Sequence, residues 1–349
     1  MSLTFKIARA AARAQRRMPA AVLRRRHGAP PTIDGQTLDL QVWAFQQLTV
    51  KAREKNPAAE VTPTTIRDGF DLVVAVASGE PVAAVSVHDR TIPGPASELP
   101  VRLYHPTRTE GRADAIVWYH QGGGVIGGLD TDHTLCTMLS EACQAVVISV
   151  DYRLAPEHPF PADVVDSFAA YQWVVDNADG LGIDPTRVAV GGTSQGGKIS
   201  AVLGQERRRE GLAPPLAQIM LYPGTDATAT GGSRQSMADA WPLSGAVLDF
   251  FGAAGGIDPD KAVDLRASPG LAPDLAGTPP TLIVTAGFDP LRDQGLAYAS
   301  RLHETGVTVI SRCESELPHS FTIMGGVSTA AQKATEQIAA DAAELLAGA

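Results

Sequence analysis

Ser194 stands in Gly192-Thr193-Ser194-Gln195-Gly196, a G-x-S-x-G run with the apolar stretch Arg187-Val188-Ala189-Val190 before it and a helix-forming segment after it. A serine hydroxyl attacks a carbonyl only when a base takes its proton and an acid orients that base. A sharp strand-to-helix turn solves the geometric half of the problem. It lifts the hydroxyl above the carboxyl edge of a sheet, and the flanking glycines leave room for the strained backbone. The bare motif arises often by chance; its setting between strand and helix gives it weight.

A base and an acid must then come from elsewhere. His27 lies in a basic leader, His88 and His105 precede the repeating strands, and His303 falls inside a helical pattern, so each reads as structural. His319 differs: it follows the strand-like run Val307 to Arg312 by the short segment Cys313 to Pro318, read as a loop, and precedes the last helical stretch. Loops at the carboxyl ends of strands are where catalytic groups belong in an open α/β sheet. Asp289 follows the apolar run Thr281 to Gly287, whereas Asp293 opens the next helix and reads as a first-turn acid. The chain order Ser194, Asp289, His319 is the serine–acid–histidine order of α/β-hydrolases. An oxyanion would need N–H donors, one from Gln195 and others from Gly122, Gly123 and Gly124, which follow the run Ala115 to His120. A phosphate-binding loop is a poor reading, since the glycines fit neither G-x-G-x-x-G nor a Gly-Lys-Ser/Thr ending.

The elements that must position these residues alternate. Short β-rich runs at 115–120, 145–152, 187–192, 217–223, 281–287 and 307–312 are mostly separated by helical stretches near 131–143, 163–178, 196–210, 293–304 and 327–346. Buried strands alternating with helices predict a mostly parallel sheet covered on both faces. Two runs between 82 and 105 predict an antiparallel pair ahead of it. Residues 36–55, with Pro57 beyond them, read as a helix. The long interval 224–279 has no clear core strand, and its stretch Trp241 to Phe251 could form a helix capping a pocket.

The chain has 349 residues, a formal net charge of −9 and only three cysteines. The acidity argues against a nucleic-acid partner, and the cysteine count against a disulfide framework, so a cytoplasmic setting is the simplest expectation. No metal site and no cofactor are expected. Residues 1–26 carry eight basic residues and no acid. There Arg9, Arg13, Arg16 and Arg17 would share one helical face, and Ile7, Ala10, Ala14 and Met18 another. The favoured reading is a helix folded against the acidic body; peripheral contact with an anionic membrane, or a transit peptide, are the alternatives.

Together these features resemble the bacterial hormone-sensitive-lipase-like esterases of the α/β-hydrolase superfamily, from about residue 100 to the end. The stretch Asp151 to Ala162, DYRLAPEHPFPA, carries most of the resemblance, with GLGIDPTRVAV, FDPLRDQG and PHSF in the matching order. The resemblance implies a triad of Ser194, Asp289 and His319, and oxyanion donors at Gly122, Gly123 and Gln195. It also implies scaffold roles for Asp151, Arg153 and Glu157, a loop-orienting role for His120, and a helical cap formed by residues 1–60 with help from 224–279 over a catalytic domain of 61–349.

This chain departs from the family at Gln121, Gly124, Thr193 and Gln195. Gln121, Gly124 and Trp241 are therefore expected at the substrate pocket, where they would tune specificity. The implied activity is hydrolysis of short to medium carboxylic esters, with an amidase, an acyltransferase or a non-catalytic receptor as the other readings. A homodimer is an expectation by analogy.

Overall fold

The computed structural model describes residues 3–55, 62–108 and 111–349. Its centre is an eight-stranded sheet. The strands are β1 (Ser86–Pro93), β2 (Glu98–His105), β3 (Ala113–Tyr119), β4 (Val146–Val150), β5 (Ile183–Thr193), β6 (Gln218–Leu221), β7 (Thr281–Phe288) and β8 (Val309–Pro318). They lie side by side as β8-β7-β6-β5-β3-β4-β2-β1. β3 to β8 pair in parallel, while β1 and β2 form an antiparallel hairpin whose β2 runs antiparallel to β4.

Burial explains why the central strands are continuous apolar runs. Every residue of β4 and β7 is buried, as expected where helices cover both faces. Successive side chains of β3 part to opposite sides. Ile116 and Trp118 join one core with Leu135 and Leu139, and Val117 and Tyr119 join the other with Val164 and Tyr171.

The helices of eight residues or more are α1 (Leu3–Arg16), α2 (Ala20–His27), α3 (Leu40–Lys55), α4 (Pro63–Ala77), α5 (His133–Cys143), α6 (Ala162–Asp176), α7 (Gln195–Arg209), α8 (Gly245–Gly255), α9 (Arg292–Glu304) and α10 (Thr329–Gly348). Pro57 and the 60/61 boundary drawn from sequence lie outside the described residues. The amino-terminal helix that packs on the region of the glycine loop is α4: Ile66 and Phe70 meet Val125, Ile126 and Ala155. From the other side Phe250 and Phe251 of α8 pack into the same cluster. Ser244 accepts the Val247 N–H and caps α8, so that helix starts beyond Trp241.

One local reading changes. Residues 313–318 are not a loop but the second half of β8, paired with β7 through Cys313–Thr285, Glu314–Ala286 and Pro318–Phe288. β8 is an edge strand, so half its surroundings are wet and its polar residues do not interrupt pairing. The amino-terminal helix is docked by its arginines. Arg9 and Arg13 reach Glu80, Arg13 also donates to the Ser78 carbonyl, and Arg16 donates to the Gly325 carbonyl at 2.6 Å. Ile7, at 61% exposure, and Ala10 and Ala14 face outward. The fork of each guanidinium captures carbonyl and carboxylate oxygens that an alanine stripe cannot satisfy. No helix among the described residues is long and apolar enough to cross a membrane.

Candidate active site

β5 ends at Thr193 and α7 begins at Gln195, leaving Ser194 in the turn with φ 51° and ψ −109°. Positive φ in a non-glycine residue costs on the order of 1–3 kcal/mol and persists only where the surroundings enforce it. Here they do. The Ser194 N–H donates to the Leu221 carbonyl at 2.8 Å. The Thr193 hydroxyl donates to Asp132 Oδ2 at 2.5 Å, the same oxygen that accepts from Trp118 Nε1 at 2.9 Å. Both glycines of the motif are there for space. A Cβ on Gly196 would sit 1.8 Å from the Tyr119 carbonyl oxygen, and one on Gly192 would sit 2.4 Å from the Gly196 carbonyl carbon. Gly196→Ala is therefore expected to displace the turn and lower ester turnover by at least about 10²-fold, since small misplacements of reacting groups cost that much. Steady-state kinetics on purified protein, with a melting curve as control, check this.

The ends of β5, β7 and β8 bring the other two groups in. His319 Nε2 lies 2.9 Å from Ser194 Oγ, and His319 Nδ1 lies 2.7 Å from Asp289 Oδ2. Asp289 Oδ1 accepts the Leu291 N–H at 2.8 Å, which holds the carboxylate in place. All three residues are buried. Tyr222 meets the imidazole edge-on, with ring centroids 4.8 Å apart, and its hydroxyl bonds to Thr322. This is an arrangement in which imidazole can take the serine proton while the carboxylate fixes the tautomer and stabilises the cation.

The glycine loop follows β3. Gly122, Gly123 and Gly124 have φ of 128°, 62° and 74°, and a Cβ on Gly122 would lie 2.0 Å from the Ile126 carbonyl oxygen. Gln195 is the first residue of α7, so its N–H is among the unpaired donors at that helix's amino end. His120 Nδ1 lies 2.7 Å from the Gln121 carbonyl oxygen, and its ring stacks on Tyr152 at 4.2 Å. The Tyr152 hydroxyl donates to the His120 carbonyl, and the Ala155 N–H donates to that of Gly124.

The pocket residues expected from sequence part company. Gln121 turns its side chain to Ser320, whose hydroxyl donates to Gln121 Oε1, and so links the glycine loop to the histidine loop. Gln195 Nε2 donates to Asp163 Oδ2. The space a side chain on Gly124 would enter is bounded by that pair, with Asp163 Oδ2 at 3.4 Å and Gln195 Nε2 at 3.7 Å. Trp241 packs edge-on against Phe45 at 6.0 Å. A small cavity is lined by Gly123, Gly124, Gln195 and their neighbours, and neither Ser194 nor Trp241 is among them.

The scaffold stretch is tied to its neighbours by ion pairs. Arg153 pairs with Asp166. Glu157, half-exposed, pairs with Arg67 of α4, which also donates to the Val125 and Ala155 carbonyls. Burial raises the Asp151 pKa to about 6 and lowers that of His120, 4.0 Å away, to about 4.

Asp132, Asp163 and Arg67 went unnoticed in the sequence. Each is a single polar residue at or near a helix start, distant along the chain from the motif it touches. Asp132 carries a measurable consequence. Burial raises its pKa to about 6, against the hydrogen bonds from Thr193 and Trp118. A carboxyl whose pKa is raised on folding contributes stability that is full below about pH 4 and lost as pH rises through about 6. Asp132→Asn, which keeps an acceptor without the charge, is expected to remove that loss. It should exceed the parent in stability by up to about 3 kcal/mol at pH 8 and match it near pH 4. Urea unfolding at the two pH values reads the difference.

A family model described as the alpha/beta hydrolase fold matches residues 116–323. The carboxylic ester hydrolase LipN of Mycobacterium tuberculosis is 44% identical over 247 residues, 69% of this chain and 65% of its own, so the match spans a little under two thirds of that relative. The ethyl acetate hydrolase of Pseudomonas putida is 38% identical over 66% of this chain and 73% of its own. Among solved structures, a mutant of LAE6, an alpha/beta hydrolase enzyme from the metagenome of Lake Arreo, Spain, superposes with a TM-score of 0.83. It is 35% identical and covers 88% of this chain and 98% of its own. The Pyrobaculum calidifontis esterase gives 0.78 at 35% identity, over 86% and 96%.

Proposed function

This chain belongs to the α/β-hydrolase fold family, among its hormone-sensitive-lipase-like esterases, and from that premise we propose that it hydrolyses short to medium acyl carboxylic esters through an acyl-enzyme. The observation that carries the reading is the unbroken hydrogen-bonded line from Ser194 Oγ through His319 to Asp289, built on a strained turn. Ser194 Oγ attacks the ester carbonyl carbon while His319 Nε2 takes its proton. The tetrahedral oxyanion is met by the N–H groups of Gly122, Gly123 and Gln195. His319 then protonates the departing alcohol, leaving Ser194 acylated. Water, deprotonated by the same imidazole, attacks the acyl carbon and releases the acid. Asp289 orients the imidazole and stabilises the imidazolium.

α4 and α8 act as the cap. Phe251 of α8 covers Gly123, where a Cβ would come within 2.5 Å of the ring, and excludes water from the oxyanion side. The names of the relatives, carboxylic ester hydrolase and ethyl acetate hydrolase, support the substrate class.

The test is a p-nitrophenyl ester series from acetate to dodecanoate, together with labelling by a fluorophosphonate. Stoichiometric attachment at Ser194 and highest kcat/KM at four to eight carbons are expected. A protein that binds the esters without turnover and resists the label is a receptor on the hydrolase fold. Turnover of matched anilides at or above the rate of the esters would make it an amidase.

A further inference from the structure

Gln121 is one of the four positions where this chain departs from the family's pattern, and no step of the hydrolysis uses it. At 1% exposure it is out of a substrate's reach. Its place is between two parts of the machinery. The next residue along the chain is Gly122, an oxyanion donor, and the hydroxyl that donates to Gln121 Oε1 belongs to Ser320, the neighbour of His319.

Those two parts start far apart. The glycine loop leaves β3 and His319 follows β8, with β5, β6 and β7 between them. Four strand spacings of about 4.8 Å make roughly 19 Å at the level of the sheet. Catalysis has to close that gap to the width of one ester group. The oxyanion must sit about 3 Å from its donors while the leaving oxygen lies within hydrogen-bond reach of the imidazole.

Each loop is otherwise anchored on its own side. The glycine loop is held by the Tyr152 hydroxyl on the His120 carbonyl, the Ala155 N–H on the Gly124 carbonyl and Arg67 Nε on the Val125 carbonyl. The histidine loop is held by Asp289, by the Phe288 carbonyl and by the Tyr222 hydroxyl on Thr322. Among the described residues, the bond from Ser320 to Gln121 is the one hydrogen bond that joins the two loops. Ser320 has φ 62° and ψ 21°, a left-handed conformation that is costly for a non-glycine residue and persists where the surroundings hold it.

Packing alone does not account for a glutamine here. Its Nε2 is buried with no partner among the described residues, a loss of stability that an apolar side chain of similar size avoids.

We propose that Gln121 is a positioning residue: through Ser320 it holds His319 in register with the oxyanion N–H groups of Gly122 and Gly123, a role that rests on the hydrolytic reading above. The link acts on kcat rather than KM, because base and donors are needed together only as the tetrahedral intermediate forms and collapses.

The experiment measures kcat, KM and melting temperature of the full chain for Gln121→Met, Ser320→Ala and the double variant, with p-nitrophenyl butyrate as substrate. Each single variant is expected to lower kcat by roughly 10- to 100-fold, the loss for a reacting group misplaced by about 1 Å, with KM within about twofold of the parent. The double variant should be no worse than the poorer single one, because a shared bond is lost only once. Its melting temperature should match or exceed the parent's, since replacing both partners of a buried bond strands neither. Should Gln121→Met fail to fold, Ser320→Ala, which deletes one hydroxyl, reads the link by itself. Four results overturn the proposal: a kcat within about twofold of the parent in a folded single variant, losses that multiply in the double, a raised KM with kcat unchanged, or a fall in kcat that tracks a lower melting temperature of the double. In each of those cases, parent turnover and labelling of Ser194 by a fluorophosphonate leave the hydrolase reading standing. A parent that neither turns over butyrate nor takes the label fails that reading, and the positioning role falls with it.

Discussion

Ser194→Ala is expected to lower kcat for p-nitrophenyl butyrate by on the order of 10⁶-fold, with circular dichroism and melting temperature unchanged within error. The size follows from the geometry. Removing Oγ deletes the atom 2.9 Å from His319 Nε2 and with it the acyl-enzyme route, leaving only donors and binding to assist attack by water. His319→Ala should cost about as much, because serine and histidine act as one unit and their losses do not add. Asp289→Asn should be milder, about 10⁴-fold. An amide in place of the carboxylate that faces Nδ1 at 2.7 Å disturbs the tautomer but spares the nucleophile. The fold should hold because, among the described residues, Ser194 contributes no side-chain bond other than that to His319. Turnover within tenfold of the parent in Ser194→Ala would remove the mechanism altogether.

Arg153→Ala is expected to have the largest effect on stability, about 3–5 kcal/mol. Asp166 is wholly buried and takes three bonds from one residue: the Arg153 N–H at 3.0 Å, Nε at 2.8 Å and Nη2 at 2.7 Å. Truncating the arginine leaves one backbone bond to a carboxylate with no route to water, and an uncompensated buried charge costs more than the pair gains. The reverse change, Asp166→Ala, strands a guanidinium that is 19% exposed and can turn toward solvent, so it should cost less. Denaturant midpoints for the two variants give both numbers, and equal losses would show that burial of the partner does not set the cost. Because Arg153 and Ala155 flank the turn whose Ala155 N–H holds the Gly124 carbonyl, Arg153→Ala should also loosen the glycine loop and reduce kcat at temperatures well below its melting point.

The order of the site was legible because its chemistry is written into local patterns. Ser194 needs glycines on both sides, and a Cβ at 192 or 196 would strike backbone; that requirement leaves a mark in the residues themselves. Asp289 and His319 stand at the ends of strands, and strand ends show as a switch from apolar to polar residues. The eight strands were visible for the same reason, except that β8 was cut short. An edge strand is half solvated, so its second half looks like a loop until its partner β7 is seen beside it. α1 reads as a helix folded against the acidic body, but its residues alone do not say which partners its arginines take. Nothing local reveals that Glu80, the Ser78 carbonyl and the Gly325 carbonyl wait for arginines.

Specificity shows the division most plainly. Gln121, Gly124 and Gln195 stood out in the residues as departures from the pattern, yet where each one points follows from partners far along the chain: Ser320 for Gln121, Asp163 for Gln195 and, through that pair, the wall beside Gly124. Trp241, an aromatic in the right interval, went instead to Phe45. Sequence by itself determined the strand-turn-helix setting of Ser194, the chain order of the three candidate residues and the sheet that carries them, because backbone sterics and burial constrain residues locally. Which side chains line the cavity was decided only by the tertiary structure, because a hydrogen bond is satisfied by whatever donor packing brings within 3 Å, and separation along the chain does not enter that choice.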